Sequence, residues 1–233
     1  MTGFGADKGS SREKSTSDRD KLFGKAVQLH LSGNLQAAEL SYKRVLEEFP
    51  NDSGALTNLG TIYKQSGQYE IAINAYKQAI ESLPGMPDPY INLSNLYQLL
   101  GRLHEALEFI QVAVSLDNNN AAAELNYGII LKDLCNLDAA ETHFKKALAL
   151  EPDFKEANCH FGLLLTQQNR LQEARLSLEK ALTIDSSYHL AKSGLGKVLL
   201  ALGYHSRAMQ LIRESDGALR FIIGKGIEFY PKQ

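Results

Sequence analysis

Tryptophan is absent from the 233 residues, cysteine occurs twice and proline six times. Two cysteines, Cys135 and Cys159, cannot build the disulfide framework that staples small secreted domains; free thiols are expected, as in a reducing cytoplasm. Charge of one sign is missing too, with 25 Lys and Arg against 27 Asp and Glu and a net charge of -2. General affinity for nucleic acid or an anionic membrane needs a basic excess, and no local cluster exceeds Lys145-Lys146. Apolar runs such as 198–202 are far too short to cross a bilayer. Residues 1–20 lack the apolar core of a signal peptide. The expectation is a cytoplasmic protein with neither a nucleic-acid nor a membrane partner.

What the chain has instead is one residue at one interval: Ala38, Ala72, Ala106, Ala140, Ala174 and Ala208, each 34 residues after the last. A small residue stands twelve positions before each: Ala26, Gly60, Ser94, Gly128, Gly162 and Gly196. Four positions after each alanine comes a bulky one: Tyr42, Tyr76, Ile110, Phe144, Leu178 and Ile212. Seven positions after it stands a short side chain: Val45, Ala79, Ala113, Ala147, Ala181 and Ser215. A period of this length without gaps is the signature of a stacked array.

One unit shows the physics. Within Ser53–Met86, the residues Leu56, Leu59, Ile62 and Tyr63 fall at helical spacing, as do Ile73, Tyr76, Ile80 and Leu83. Ser66-Gly67-Gln68 breaks the pattern between them and Pro84-Gly85 ends it. The pattern predicts a helix, a tight turn, a second helix and a loop, with Gly60 facing Ala72 and Ala79. One such pair cannot bury its apolar face alone, so neighbours must stack.

The combination of Leu56, Leu59, Gly60, Tyr63, Gly67, Ala72, Tyr76, Ala79 and Pro84 resembles a tetratricopeptide (TPR) repeat. The likeness covers roughly residues 19–215. It implies an all-α, right-handed superhelical solenoid of six helix-turn-helix repeats: 19–52, 53–86, 87–120, 121–154, 155–188 and 189–215. Cys135 and Asn169 replace the turn glycine, and Asn118 and Ser186 replace the terminal proline. The small packing positions are untouched.

Residues 1–18 are rich in Ser, Lys, Asp and Gly and read as a disordered tail whose charges nearly cancel. Met1-Thr-Gly-Phe-Gly5, with Gln28-Leu-His-Leu-Ser-Gly33-Asn34, is similar to the start of TPR proteins of marine unicellular cyanobacteria. In those proteins the repeats often precede an oxygenase or sulfotransferase domain, and these 233 residues are read as leaving no room for one. Lys25 stands where later copies have Leu59, Leu93, Tyr127, Phe161 and Leu195, which suits a first repeat facing water. In 216–233, Leu219, Phe221 and Ile223 alternate, Gly224-Lys-Gly226 breaks the run, and Ile227 and Phe229 alternate again. This reads as a C-terminal cap in the form of a short β-hairpin. It serves either as a lid on the last repeat or as a docking edge for a partner strand or a second copy.

Screens for catalysis return nothing. The histidines His30, His104, His143, His160, His189 and His205 form no His-x-Asp pair and no His-Glu-x-x-His. His104-Glu105 reads as a solvated inter-helix turn. Gly194-Leu-Gly196-Lys197 lies inside a repeat helix and lacks phosphate-loop spacing. No enzyme activity, cofactor or metal is expected.

In arrays of this kind the first helix of each repeat lines a concave groove for extended peptides or partner helices. The candidate groove residues are Asn58, Asn92, Asn126, Thr61, Asn95, Lys64, Lys132 and His160, with Thr57, Gln98 and Thr166 beside them. Asn58, Asn92 and Asn126 are equivalent and would form a ladder, similar to the one in the TPR half of O-linked N-acetylglucosamine transferases. Asparagine is also simply common at this position in TPR proteins. An amide both donates and accepts, so such a row can hydrogen-bond peptide backbone of any sequence. Ile91, Leu125 and Leu163 would add apolar contacts.

The carboxylate clamp of TPR co-chaperones maps onto Phe23, Val27, Asn58, Asp88 and Asn92, or onto Thr57, Thr61, Asn92, Ala122 and Asn126. Its cations are missing. The expected function is a protein-interaction scaffold, and the alternative is a recruiting or regulatory subunit of a separately encoded transferase or oxygenase. Self-association through the end faces is a third reading.

Overall fold

A computed structural model describes residues 16–215, 217–222 and 226–231, with side chains described for 18–215. The chain forms two compact units, one running to Leu96 and the other starting at Tyr97. Among the described residues of the first unit are α1 (Thr16–Leu31), α2 (Leu35–Glu48), α3 (Ser53–Gln65), α4 (Tyr69–Ser82) and most of α5 (Pro87–Leu99). Helix α1 begins inside the stretch read as tail; residues 1–15 of that stretch lie outside the described residues. The second unit holds α6 (Leu103–Leu116), α7 (Ala121–Asp133), α8 (Leu137–Leu150), α9 (Lys155–Gln167), α10 (Leu171–Ile184), α11 (His189–Ala201) and α12 (His205–Glu214). Two strands follow, β1 (Gly217–Ile222) and β2 (Gly226–Pro231), antiparallel with Gly217 opposite Pro231 and Ile222 opposite Gly226.

Helices pack as sequential pairs, α1 with α2 and α3 with α4 in the first unit, and α7 with α8, α9 with α10 and α11 with α12 in the second. In the second unit the first helices of successive pairs also touch, α7 with α9 and α9 with α11, which puts them on a shared face. The repeated alanines are sealed: Ala38, Ala72, Ala106, Ala140, Ala174 and Ala208 have no exposed surface.

The glycines twelve positions earlier meet the bulky residue most closely, with the alanine's backbone beside it in two copies: Ala174 O would lie 3.2 Å from a Cβ on Gly162 and Ala208 O 3.4 Å from one on Gly196. A Cβ on Gly60 would lie 2.6 Å from the Tyr76 ring, and one on Gly162 would lie 2.7 Å from Leu178 Cγ. On Gly196 it would lie 2.5 Å from Ile212. The bulky residue lies over the glycine, nearer to Gly60 than the Ala72 and Ala79 that the sequence pattern sets against it. At these glycines the side-chain volume is supplied from the second helix.

The turns inside the pairs repeat one geometry. Gly33, Gly67, Gly101 and Gly203 have φ between 73° and 85°, and Cys135 and Asn169 adopt 61° and 60° at the equivalent positions. In each turn the positive-φ residue donates its N–H three residues back, and the next residue donates five back. Cys135 N bonds Lys132 O at 2.9 Å, and Asn136 N bonds Leu131 O at 2.8 Å. This is the Schellman C-cap, which needs a left-handed residue and satisfies two terminal carbonyls. Helix α6 opens at Leu103, so His104 and Glu105 lie in its first turn and not in the inter-helix turn expected for them. There Glu105 takes up the Arg102 guanidinium.

Candidate peptide-binding face

In the first unit, Asn58 on α3 and Asn92 on α5 are half-buried, and neither amide has a hydrogen bond among the described residues. Asn95 lies one turn past Asn92, and its carbonyl oxygen is buried without a partner. Lys64 is half-buried and forms no ion pair among the described residues; burial holds its ammonium below the usual lysine range. These four groups are unspent, and a buried polar atom without a partner costs free energy until something bonds it. Thr61 differs. Its hydroxyl bonds Thr57 O and Tyr76 Oη, both at 3.2 Å, so it is held inside the fold. Thr57 is buried and bonds Ser53 O at 2.7 Å.

Around Asn58 lies a cavity of about 150 Å³, lined by Phe23, Gly54, Thr57, Asn58, Met86 and Asp88. Phe23 leans over Gly54, where a Cβ would lie 3.1 Å from Phe23 Cζ. Arg19 sits over the Phe23 ring at 4.3 Å and bonds Asp52 through Nε at 2.5 Å. Larger depressions lie elsewhere, such as one of about 280 Å³ between Pro50, Leu56, Gln78 and Glu81.

In the second unit, Asn126 on α7 is half-buried and its amide has no hydrogen bond among the described residues. His160 on α9 stands 34 residues on, at the same repeat position. Its Nδ1 is buried without a partner, and its ring stacks on Phe144 with centroids 6.4 Å apart. Burial, assisted by the charge of Lys132 and opposed by Asp133, lowers the imidazole to about 4, so the ring is neutral at pH 7. A neutral imidazole, like an amide, carries one donor and one acceptor. The next equivalent, Gly194, is closed off: a Cβ there would lie 2.9 Å from Leu163 Cδ2. Gln98 donates to Asp133 at 2.8 Å, and Lys132 lies 3.8 Å from the same carboxylate. Thr166 bonds Gly162 O at 2.8 Å. Leu125 is only 5% exposed, so it belongs to the core and not to a contact surface.

Sequence reasoning missed Glu124. It stands in register with Leu56 and Tyr90, yet it is a buried carboxylate bonded to His143 Nδ1 at 2.5 Å. Tyr127 stacks on His143 at 3.8 Å. A charge in register with Leu22, Leu56 and Tyr90 was the available signal. Asn158, in the same register one repeat later, spends its amide hydrogens on Pro152 O and Phe154 O.

Among the described residues no group of three His, Cys, Asp or Glu side chains could hold a metal, and no helix is long and apolar enough to cross a membrane. The arrangement offers hydrogen bonds and a side-chain pocket.

Family profiles described as TPR repeat or tetratricopeptide repeat match residues 41–74, 60–101, 87–120 and 128–189. The chain is a tetratricopeptide-repeat protein, an all-α solenoid built from helical pairs. Among solved structures it is similar to a thermophilic TPR protein of Thermus thermophilus, with 27% identity, TM-score 0.66, and 78% of this chain and 99% of that one covered. It is also similar to YrrB, a TPR protein with an unusual peptide-binding site, at 20% identity and TM-score 0.58, covering 75% and 90%. A third likeness is to the APC/C hetero-tetramer Cut9-Hcn1, at 17% identity and TM-score 0.78. There 84% of this chain matches 39% of the other, so the chain spans well under half of that relative. No curated protein matches.

Proposed function

We propose that the protein is an interaction scaffold that binds an extended segment of another protein along the first helices of its repeats. The observation that carries this is the contrast among its asparagines. Asn34 and Asn120 cap helices and Asn158 donates its amide hydrogens to two carbonyls, whereas Asn58, Asn92 and Asn126 hold amides that nothing among the described residues uses. Each unit has its own set: Asn58, Asn92, Asn95 and Lys64 in one, Asn126 and His160 in the other. Such groups can pair with peptide N–H and C=O without reading side chains. The likeness to YrrB, a peptide-binding TPR protein, supports the same reading.

The test is a capture experiment from native lysate, comparing wild type with the Asn58→Ala, Asn92→Ala, Asn126→Ala variant by mass spectrometry. A partner held by wild type and released by the variant supports the reading; equal retention overturns it. Binding through the asparagine amides should depend only modestly on salt. The alternative, a recruiting subunit of a separate transferase or oxygenase, would use the same face and is distinguished by co-purifying activity. Capping by residues 216–233 is tested by deleting them, which should promote aggregation measurable by light scattering.

A further inference from the structure

We infer that the cavity at Asn58 in the first unit is a subsite for one cationic side chain, lysine or arginine, of the bound segment; this rests on the peptide-binding reading above. Its volume of about 150 Å³ is below the roughly 300–1,000 Å³ of small-molecule pockets and suits a single side chain. The walls divide by chemistry. Phe23 and Met86 are apolar, Thr57 has committed its hydroxyl to Ser53 O, and the groups left over are the Asn58 amide and the Asp88 carboxylate. Asp88 is exposed and pairs with no cation among the described residues. A long aliphatic stem ending in a positive group matches these walls in order, its methylenes against Phe23 and Met86 and its charge at Asp88.

Surrounding charge agrees. Arg19, over the Phe23 wall, is engaged by both Asp52 and Asp20, its guanidinium held protonated chiefly by the Asp52 bond. That cation is thus spent on two carboxylates, and Asp88 adds a third negative charge. Helices α3 and α5 both begin at this cavity, and a helix N-terminus ordinarily attracts an anion. Each start already has its own carboxylate, Asp52 capping α3 and Asp88 in the first turn of α5. An incoming anion would find the Ala55 N–H already bonded to Asp52 and two negative charges close by.

The test uses the full chain, labelled with nitrogen-15, and three small probes: the N-acetyl, N-methylamide derivatives of lysine, norleucine and glutamate. The lysine probe should shift the signals of Gly54, Asn58 and Asp88 saturably, about tenfold more tightly than norleucine, with glutamate weakest. Asp88→Asn should erase the advantage of lysine over norleucine, and Asp88→Lys should favour glutamate. Equal response to all three probes, or none at these residues, overturns the subsite. Alanine- and serine-rich nonapeptides bearing the same three central residues separate this from the groove reading. Peptide binding that falls with Asn92→Ala and Asn126→Ala but ignores the central residue keeps the groove and overturns the subsite. Probe binding with no peptide binding keeps the subsite and overturns the groove.

Discussion

The ring of Phe144 lies so close over Gly128 that a methyl group on that glycine would sit 2.6 Å from Cε1. Gly128→Ala should therefore cost about 1–3 kcal/mol through overpacking, read as a drop in the denaturation midpoint. In a Phe144→Ala background the same change should cost far less, a coupling that a double-mutant cycle measures directly. Gly24 makes the opposite case. It lies in helix α1 with open space where a methyl group would sit, and Gly24→Ala should stabilise by roughly 0.5–1 kcal/mol.

Turns give a second pair of opposed signs. Cys135→Gly should gain about 1 kcal/mol, since a side chain in the left-handed region is strained, and Asn169→Gly should gain less because asparagine tolerates it. Gly67→Ala should lose about as much as Cys135→Gly gains. Urea titrations with unchanged slope would establish all three, and equal midpoints for Cys135→Gly and wild type would contradict the strain.

The asparagines should divide by stability as well as by binding. Single Ala variants at Asn58, Asn92 and Asn126 should stay within about 0.5 kcal/mol of wild type, as surface changes do. Asn158→Ala removes the donor to Pro152 O and one of the two donors to Phe154 O, and should cost about 1–3 kcal/mol. If the first three prove as destabilising as the fourth, they belong to the fold and not to a ligand.

His160 predicts a pH dependence. The folded state lowers its imidazole from an ordinary 6.5 to about 4, chiefly by burial. Between those values the unfolded chain binds the proton and the folded chain does not. The stability involved is complete above pH 6.5 and lost as pH falls through about 4, on the order of 3 kcal/mol in all. Denaturation of wild type and His160→Asn at pH 7 and pH 4 should show the wild type losing more.

The 34-residue recurrence of alanine, glycine and bulky residue carried the fold: the alanine is sealed in all six copies, and the bulky residue lies over the glycine in the four copies that have one. The recurrence also marked Cys135 and Asn169 as turn residues, and the backbone there bends as it does at Gly67. Which partner covers Gly60 was not legible: Ala72, Tyr76 and Ala79 share one helix face, and only the packing selects Tyr76. Position likewise could not say which polar groups are spent. Thr61 and Asn58 lie one turn apart on α3, yet one is tied to Tyr76 and the other is free to bond. The Glu124–His143 contact joins two helices whose relative rotation no spacing records.

The two thiols of this chain live in opposite worlds. Cys159 is fully enclosed, with its thiol pushed up to about 12 by burial, while Cys135 stands exposed on a turn. An alkylating dye at neutral pH should therefore mark each molecule once, at Cys135, at the tip of the α7–α8 pair that carries Asn126. The native protein thus arrives with an address for a single fluorophore, without a cysteine having to be engineered in or out.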